Sequence, residues 1–416
     1  MRAAPSAGAS SIWTRAEATP VTSFPPPPPW VEEILTVGVT GTNGKSSTVG
    51  WIAAALNQID DATVSVTTLG HRIGPQTYPF PPTYAGFLEA MGRGRDQGAH
   101  HAAIELTSAS LAAGFLRGWR CRVGVFTNLS QDHLDIHGSA EHYLASKAQL
   151  FLQLPPGGSA VLNCDDPASE LLDEIIGPDV ERWRYGRGND STADLVARDL
   201  HVDWNGTVAR LEHNQRLTAL PPSLRLSAIG DIYVENALAA LLGALAAGVP
   251  ADRAAAAIEA APPPAGRFEV VSRDPPVVVD YAHTPDALRR TLATARHLCP
   301  GCLTVVTGAG GNREQSKRAP LGRAAAAADR IILTSDNARS EDPAAIAAEL
   351  AAPLNDHPAV TTMLDRRSAI AQALADTGAD DLVVVAGKGH ETEQIDGHGS
   401  QPLSDAAVVR ELLGLA

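Results

Sequence analysis

The chain has little cysteine, a deficit of positive charge and no apolar run of membrane length. Its four cysteines are Cys121, Cys164, Cys299 and Cys302. Cys299-Pro300-Gly301-Cys302 is a lone Cys-x-x-Cys pair. A structural zinc needs two further ligands, and Cys121 and Cys164 stand far upstream at no such spacing. Reduced thiols at the start of a strand are the simpler account, so no metal is assigned there. Lys and Arg number 33 against 47 Asp and Glu, a net charge of −14. Phosphate backbones repel such a surface, which argues against non-specific nucleic-acid binding and leaves only a local basic site open. No stretch could span a bilayer, and the N-terminus lacks a secretory apolar segment. The expectation is a cytoplasmic protein with neither membrane nor nucleic acid among its partners.

What is present is length and apolar content. At 416 residues the chain exceeds one ordinary core, and 44% hydrophobic residues suffice for packed domains. Residues 1–30 read as a disordered proline-rich tail, with a run from Pro25 to Pro29 that should be extended. Beyond it, short apolar segments alternate with helical ones. Strands are expected at Ile34–Val39, Ala102–Leu106 and Arg122–Thr127, and helices at Ser46–Leu56 and Glu141–Leu152. The polar–apolar alternation from about Asp190 to Leu226 predicts an antiparallel appendage. Two Ala-rich helices follow, Val234–Ala247 and Ala251–Ala261, and Pro262-Pro263-Pro264 marks a linker. A second alternation then places strands at Val277–Asp280, Leu303–Thr307, Arg330–Thr334 and Asp381–Val385. The expected class is α/β in two domains, 31–264 and 265–416, each with a mostly parallel sheet covered by helices.

The strongest local signal is Gly38-Val39-Thr40-Gly41-Thr42-Asn43-Gly44-Lys45-Ser46-Ser47, which follows a strand and opens a helix. That context suits a phosphate-binding loop: glycines let backbone N–H groups approach phosphates, and a helix N-terminus favours anions. Lys45 would reach the β/γ-phosphates and Ser46 would ligate Mg²⁺. Val39 occupies the first glycine position of the usual pattern, and the bland alternative is a Gly-rich turn that binds nothing. Glu105 and the segment Thr127–Asp135 stand at the ends of two expected strands, where ligands of parallel sheets bind. Taken singly, Glu105 is also consistent with a surface carboxylate, Asp132/His133 with a helix cap, and Lys147 with a solvated helix residue.

Together, these motifs resemble the Mur ligase family, which carries a Gly-Thr-Asn-Gly-Lys loop, a strand-end glutamate, an Asp-His-Leu-Asp segment and a helix lysine in this order. The members that add diaminopimelate or lysine to a UDP-N-acetylmuramoyl dipeptide are especially similar. The run from Phe126 through Asp135 to His137-Gly138, Asp280–Leu288, Gly308–Arg313 with Lys317-Arg318, Asp336-Asn337-Ala338-Arg339 and Gly387-Lys388-Gly389-His390-Glu391 carry that likeness. The resemblance implies a P-loop central domain and a Rossmann-like C-terminal domain. It implies ATP held by Thr42, Asn43, Gly44, Lys45, Ser46, Ser47, Asn236, Arg267 and Asp280. It implies Mg²⁺ on Ser46, Glu105, His133 and a carbamylated Lys147. It implies an amino acid bound by Arg313, Asp336, Asn337, Arg339, Gly387 and Glu391, a guanidinium fork suiting a carboxylate. For Arg339 the alternative is a loop cap. The implied reaction joins an amino acid to a small-molecule carboxylate through an acyl phosphate, giving ADP and phosphate, with Lys45, His133 and Lys147 as catalytic groups.

Four positions depart from the family pattern: Ala109 stands for a histidine, Tyr233 for an asparagine, Asn312 for an aspartate and Ala338 for a proline. Residues 1–30 also cannot fold into the domain that binds the UDP group in these relatives. The expectation is the same reaction with an altered acceptor. Two other readings compete. A folylpolyglutamate synthetase-like ligase is disfavoured by Lys45-Ser46 and by Ala282-His283-Thr284-Pro285. A non-catalytic ATP-binding regulator is disfavoured by the presence of Glu105, His133 and Lys147 together.

Overall fold

The computed structural model describes residues 24–132, 137–188 and 192–415. The first sheet is built from β1 (Leu35–Thr40), β2 (Val64–Thr67), β3 (Gly70–Ile73), β4 (Gln76–Tyr78), β5 (His101–Glu105), β6 (Val123–Phe126), β7 (Ser159–Asn163), β8 (Glu181–Gly186), β9 (Leu195–Asp203), β10 (Gly206–His213) and β11 (Ser223–Leu226). Their spatial order is β11-β10-β9-β8-β7-β6-β1-β5-β2-β3-β4. The run from β9 to β2 is parallel, and an antiparallel meander closes each edge. The meander β9–β11 is the appendage expected from the alternation. The one at β2–β4 was not expected, because strands of three or four residues carry too little periodicity to register.

The central parallel strands β1, β6 and β7 are buried along nearly their whole length because helices cover both faces. Helices Lys45–Leu56 and Asp231–Ala246 lie on one side. Asp231–Ala246 is apolar nearly all round, as a helix buried between neighbours must be. Helices Tyr84–Asp96 and Ala140–Leu152 belong to the core on the other side.

The second sheet contains β12 (Glu269–Arg273), β13 (Pro276–Asp280), β14 (Leu303–Thr307), β15 (Arg330–Leu333), β16 (Val360–Thr362) and β17 (Leu382–Ala386), in the order β12-β13-β17-β14-β15-β16. Only β12 is antiparallel. A separate hairpin, β18 (Glu393–Asp396) and β19 (Gly399–Pro402), follows β17. Thr284 caps the helix Pro285–Leu298, with proline at its first position, where the missing N–H is harmless.

The expectation of a disordered tail through residue 30 needs correction at its end. Phe24 stacks edge-on against Tyr84 at 4.7 Å, and Trp30 against Trp119 at 5.7 Å. Two aromatic anchors bracket the prolines and bury apolar surface that prolines alone could not. No helix among the described residues is long and apolar enough to cross a membrane.

Candidate active site

β1, β5 and β6 are neighbours, so the loops after them meet at one end of the sheet. The loop after β1 is stapled to the segment after β6. Asn43 N donates to Asn128 Oδ1 at 2.9 Å, Thr127 Oγ1 to Asn43 O at 2.7 Å, and Ser130 N to Thr42 Oγ1 at 2.9 Å. Gly44 begins the following helix with φ +84°, and a Cβ there would stand 2.1 Å from Asn236 Oδ1. Only glycine lets Asn236 approach this closely.

Ser46 Oγ donates to Glu105 Oε2 at 2.7 Å, and both residues are buried. Lys45 Nζ lies 4.0 Å from the other Glu105 oxygen and curls back onto Thr42 O at 2.7 Å and Gly41 O at 3.1 Å. Lys147 comes from the opposite face of the sheet to the same carbonyl, Gly41 O, at 2.6 Å, with its ammonium 4.2 Å over the Tyr143 ring. Lys147 is 1% exposed. Burial, reinforced by the Lys45 charge, holds its pKa well below the usual lysine range. Burial lowers Lys45 as well, against the pull of Glu105 and Asp132.

The second domain closes over this end. Lys317 Nζ donates to Asp132 Oδ1 at 3.3 Å, and Gln131 Nε2 to Glu314 Oε1 at 2.9 Å. Between the domains lies a crevice whose lining includes Asn43, Gly44, Ser47, Asn236, Arg267 and Asp280. Arg267 lies 4.2 Å over the Tyr281 ring, and its buried Nε has no hydrogen-bond partner. Asp280 is anchored by donors from Phe268 N, Ala282 N and Thr291 Oγ1, and burial raises its pKa.

A second cluster forms after β15 and β17. Asn337 Nδ2 donates to Glu391 Oε2 at 2.9 Å. Gly387, at φ +113°, would place a Cβ 3.0 Å from Asp336 Oδ2. Arg339 Nη1 donates to Gly311 O at 2.8 Å and Asn337 O at 3.1 Å. A Cβ on Gly310 would lie 3.1 Å from Arg339 Nη1 and 3.5 Å from Arg313 Cγ, so both arginines flank that glycine.

The expected residues therefore fall into two groups, one at the sheet end with the crevice and one at the ends of β15 and β17. His133 lies outside the described residues. Three participants were given no role by the sequence reading, although Lys317 and Lys388 stood in motifs that carry the family likeness. Arg290 lines the crevice and bridges to Asp231 and Glu235 at 3.1 and 2.7 Å. Lys317 spans the domain seam, and Lys388 sits at the centre of the second cluster. Arg290 carries no local signal, being one arginine on a helix. Lys388 stood in a quoted motif, but its burial was not visible there.

Comparison with known proteins places both halves of the chain in one family. The family model for the Mur ligase middle domain matches residues 39–244, and that for the Mur ligase glutamate ligase domain matches 266–389. A UDP-N-acetylmuramoyl-L-alanyl-D-glutamate–2,6-diaminopimelate ligase of Thermosynechococcus vestitus is 37% identical over 393 residues, covering 92% of this chain and 77% of that protein. The enzyme of the same name from Aquifex aeolicus is 36% identical, with 92% and 78% covered. Among solved structures, a ligase of that name matches at 33% identity with TM-score 0.63, over 92% of this chain and 78% of its own. The Mycobacterium tuberculosis folylpolyglutamate synthase, solved with ADP and AMPPCP, matches at TM-score 0.68 and 19% identity over 92% of both chains, a likeness of fold alone.

Proposed function

This chain belongs to the Mur ligase family, and from that premise we propose which of its residues carry the reaction and what it joins. The protein is an ATP-dependent ligase that adds an amino acid to a carboxylate through an acyl phosphate, releasing ADP and phosphate. The observation that carries the site assignment is the buried Ser46–Glu105 contact beneath a crevice shared by both domains.

Residues 31–264 form the ATP-binding unit and 265–416 the unit that brings the amino acid. Thr42 to Ser47 cradle the phosphates, Asn236 and Asp280 border the nucleoside end, and Arg267 reaches across from the second unit. Its unpartnered Nε fits an anionic ligand. Ser46 and Glu105 fit Mg²⁺, a hard cation that takes few protein oxygens and keeps its waters and substrate phosphates. His133 is assigned to a second ion on the strength of the motif. When bound, magnesium neutralises charge on the phosphoryl oxygens. Lys45 spreads the charge developing on the γ-phosphoryl group while the acceptor carboxylate attacks phosphorus and ADP leaves. The amine then attacks the acyl carbon and expels phosphate. The seam contacts at Lys317 and Gln131 keep water from the acyl phosphate.

Lys147 carries a carbamate: its neutral amine adds to CO₂, forming an N–C bond and releasing a proton. Depressed basicity favours the neutral amine this requires. Arg313, Asp336, Asn337, Arg339, Gly387 and Glu391 hold the amine substrate, a diamino dicarboxylic acid like that in the relatives' names. The acceptor differs from the muramoyl dipeptide of those names, because Ala109, at the start of the helix after Glu105, replaces a histidine of the family motif.

The test is Mg·ATP-dependent phosphate release across amino acids and carboxylates, including the UDP-muramoyl dipeptide, its UDP-free form and a folate. Release that needs both diaminopimelate and a carboxylate other than the UDP-muramoyl dipeptide supports the proposal. Full activity with the UDP-muramoyl dipeptide sinks the acceptor assignment, and glutamate addition to the folate sinks both.

A further inference from the structure

We infer that Lys388 is a positioning residue for the amine substrate, holding Asn337 and Glu391 in the geometry that selects it. The inference rests on the reading that these two residues meet that substrate.

Lys388 is 0% exposed. Its Nζ donates to Glu393 O at 2.6 Å, to Glu391 Oε2 at 3.0 Å and to Asn337 Oδ1 at 3.1 Å. An ammonium has three N–H donors, and all three are spent. Lys388 therefore has no donor left for a ligand and acts only through its partners. Two of those partners, Glu391 and Glu393, lie 3 and 5 residues beyond Lys388 in the stretch from β17 to β18, and the third, Asn337, comes from the separate segment after β15.

The contact also decides which way the Asn337 amide points. Its Oδ1 accepts from Lys388 and from Ile395 N at 2.9 Å, which leaves Nδ2 directed to Glu391. Charge accounting gives the same role. Arg366 pairs with Asp405 through two contacts of 2.7 Å at 0% exposure, and it donates to Ser335 O and Ala386 O, tying together the ends of β15 and β17. Asp336 Oδ1 lies 3.9 Å from Lys388 Nζ. Two buried cations, Arg366 and Lys388, thus face three carboxylates, Asp336, Asp405 and Glu391. Of the three, Glu391 has the most exposed side chain, at 32%. The surplus negative charge is presented at the rim, where a substrate ammonium complements it. Without Lys388, Asp336 and Glu391 lose a neighbouring cation, and the hairpin β18–β19 loses one of its tethers, beside Ile395 N to Asn337 Oδ1 and Gln394 Nε2 to Asp336 O.

The test compares K388M and K388Q with the wild type, all as full chains. Hydrogen–deuterium exchange needs no substrate. The expected result for K388M is exchange at least about tenfold faster, confined to 334–341 and 391–403, with β13, β14 and β17 as protected as before. In turnover with meso-diaminopimelate as the amine, its KM rises about 10- to 100-fold, the weight of a lost charge-assisted hydrogen bond, while KM for ATP stays within about twofold. Should K388M fail to fold, K388Q keeps two amide donors without the charge and shows a smaller rise of the same kind. Unchanged exchange, or equal rises in both KM values, overturns the inference. A wild type inactive with every amine is instead a failure of the functional reading, and the exchange result then decides Lys388 separately.

Discussion

Ser46 and Glu105 share a hydrogen bond of 2.7 Å, Oγ to Oε2, although 59 positions separate them in the chain. Glu105 ends β5, while Ser46 lies in the first turn of the helix that the loop after the adjacent parallel strand β1 leads into, so the sheet order brings them together. The same Oε2 also accepts from Thr68 N at 3.3 Å, while Lys45 Nζ lies 4.0 Å from the other oxygen. We predict that Glu105→Gln, which keeps the shape and removes the charge, lowers Mg-dependent phosphate release by about 100-fold or more. A titration of rate against Mg²⁺ should show the half-saturating concentration raised, and an unchanged titration counts against the metal assignment.

Lys147 gives a pH dependence with a definite sign. Burial depresses its pKa, so the amine is neutral above that lowered value and charged below it. Only the neutral form takes up CO₂. Activity should therefore fall as pH drops through the depressed pKa, and added bicarbonate should restore part of it just above that point. With ¹³C-labelled bicarbonate, a carbamate resonance should appear in the wild type and be missing from Lys147→Met. A wild type lacking the resonance removes the carbamate from the mechanism.

Gly44→Ala tests the closeness of loop and helix. A methyl at that position would overlap Asn236 Oδ1, and φ is positive as well. AMPPCP binding should weaken by about tenfold or more, from strain of roughly 1–3 kcal/mol in the bound loop. Calorimetric titration of the analogue reads this directly. Wild-type affinity in the variant argues that the loop does not hold the phosphates.

Arg290 joins the second domain to Asp231 and Glu235 at the crevice, and Arg187 meets the same two carboxylates at 2.6 and 3.0 Å. Arg290→Met should raise KM for ATP by about 3- to 30-fold, as partly buried charge pairs across a seam do, with the midpoint of thermal unfolding nearly unchanged. The effect should shrink as salt rises in the wild-type comparison. An equal KM shift at all salt concentrations points to lost packing instead.

His283 and His390 set an acid limit on stability. Burial pushes each pKa down to about 4, with Lys317 adding to the effect at His283 and Arg267 at His390. The unfolded chain binds these protons near pH 6.5, so between about 6.5 and 4 it holds more protons than the folded one. Stability should fall as pH drops through that window. Urea unfolding at several pH values should show this slope, and His283→Gln should flatten part of it. A slope confined below pH 4 would assign acid unfolding to carboxylates.

Much of this was legible in the sequence because the signals are local. A glycine-rich turn between an apolar strand and a helix names a phosphate loop through three or four adjacent residues, and Lys45, Ser46 and Glu105 met as the strand order required. The long apolar strands and the alternating appendage were also plain. The three-residue strands β4 and β16 were not, nor was the anchoring of Phe24 and Trp30, since burial depends on partners far along the chain.

The sequence by itself determined the α/β alternation, the family and the place of the glycine-rich loop between strand and helix, because periodicity and turn geometry are properties of neighbouring residues. Only the tertiary structure decided that Lys147 is stripped of water, that Lys388 spends all its donors within the protein, and that Arg290 lines the crevice between the domains. Each of those facts is a matter of desolvation and long-range contact. A lysine or arginine on an amphipathic pattern reads as a solvated side chain until the packing around it is known.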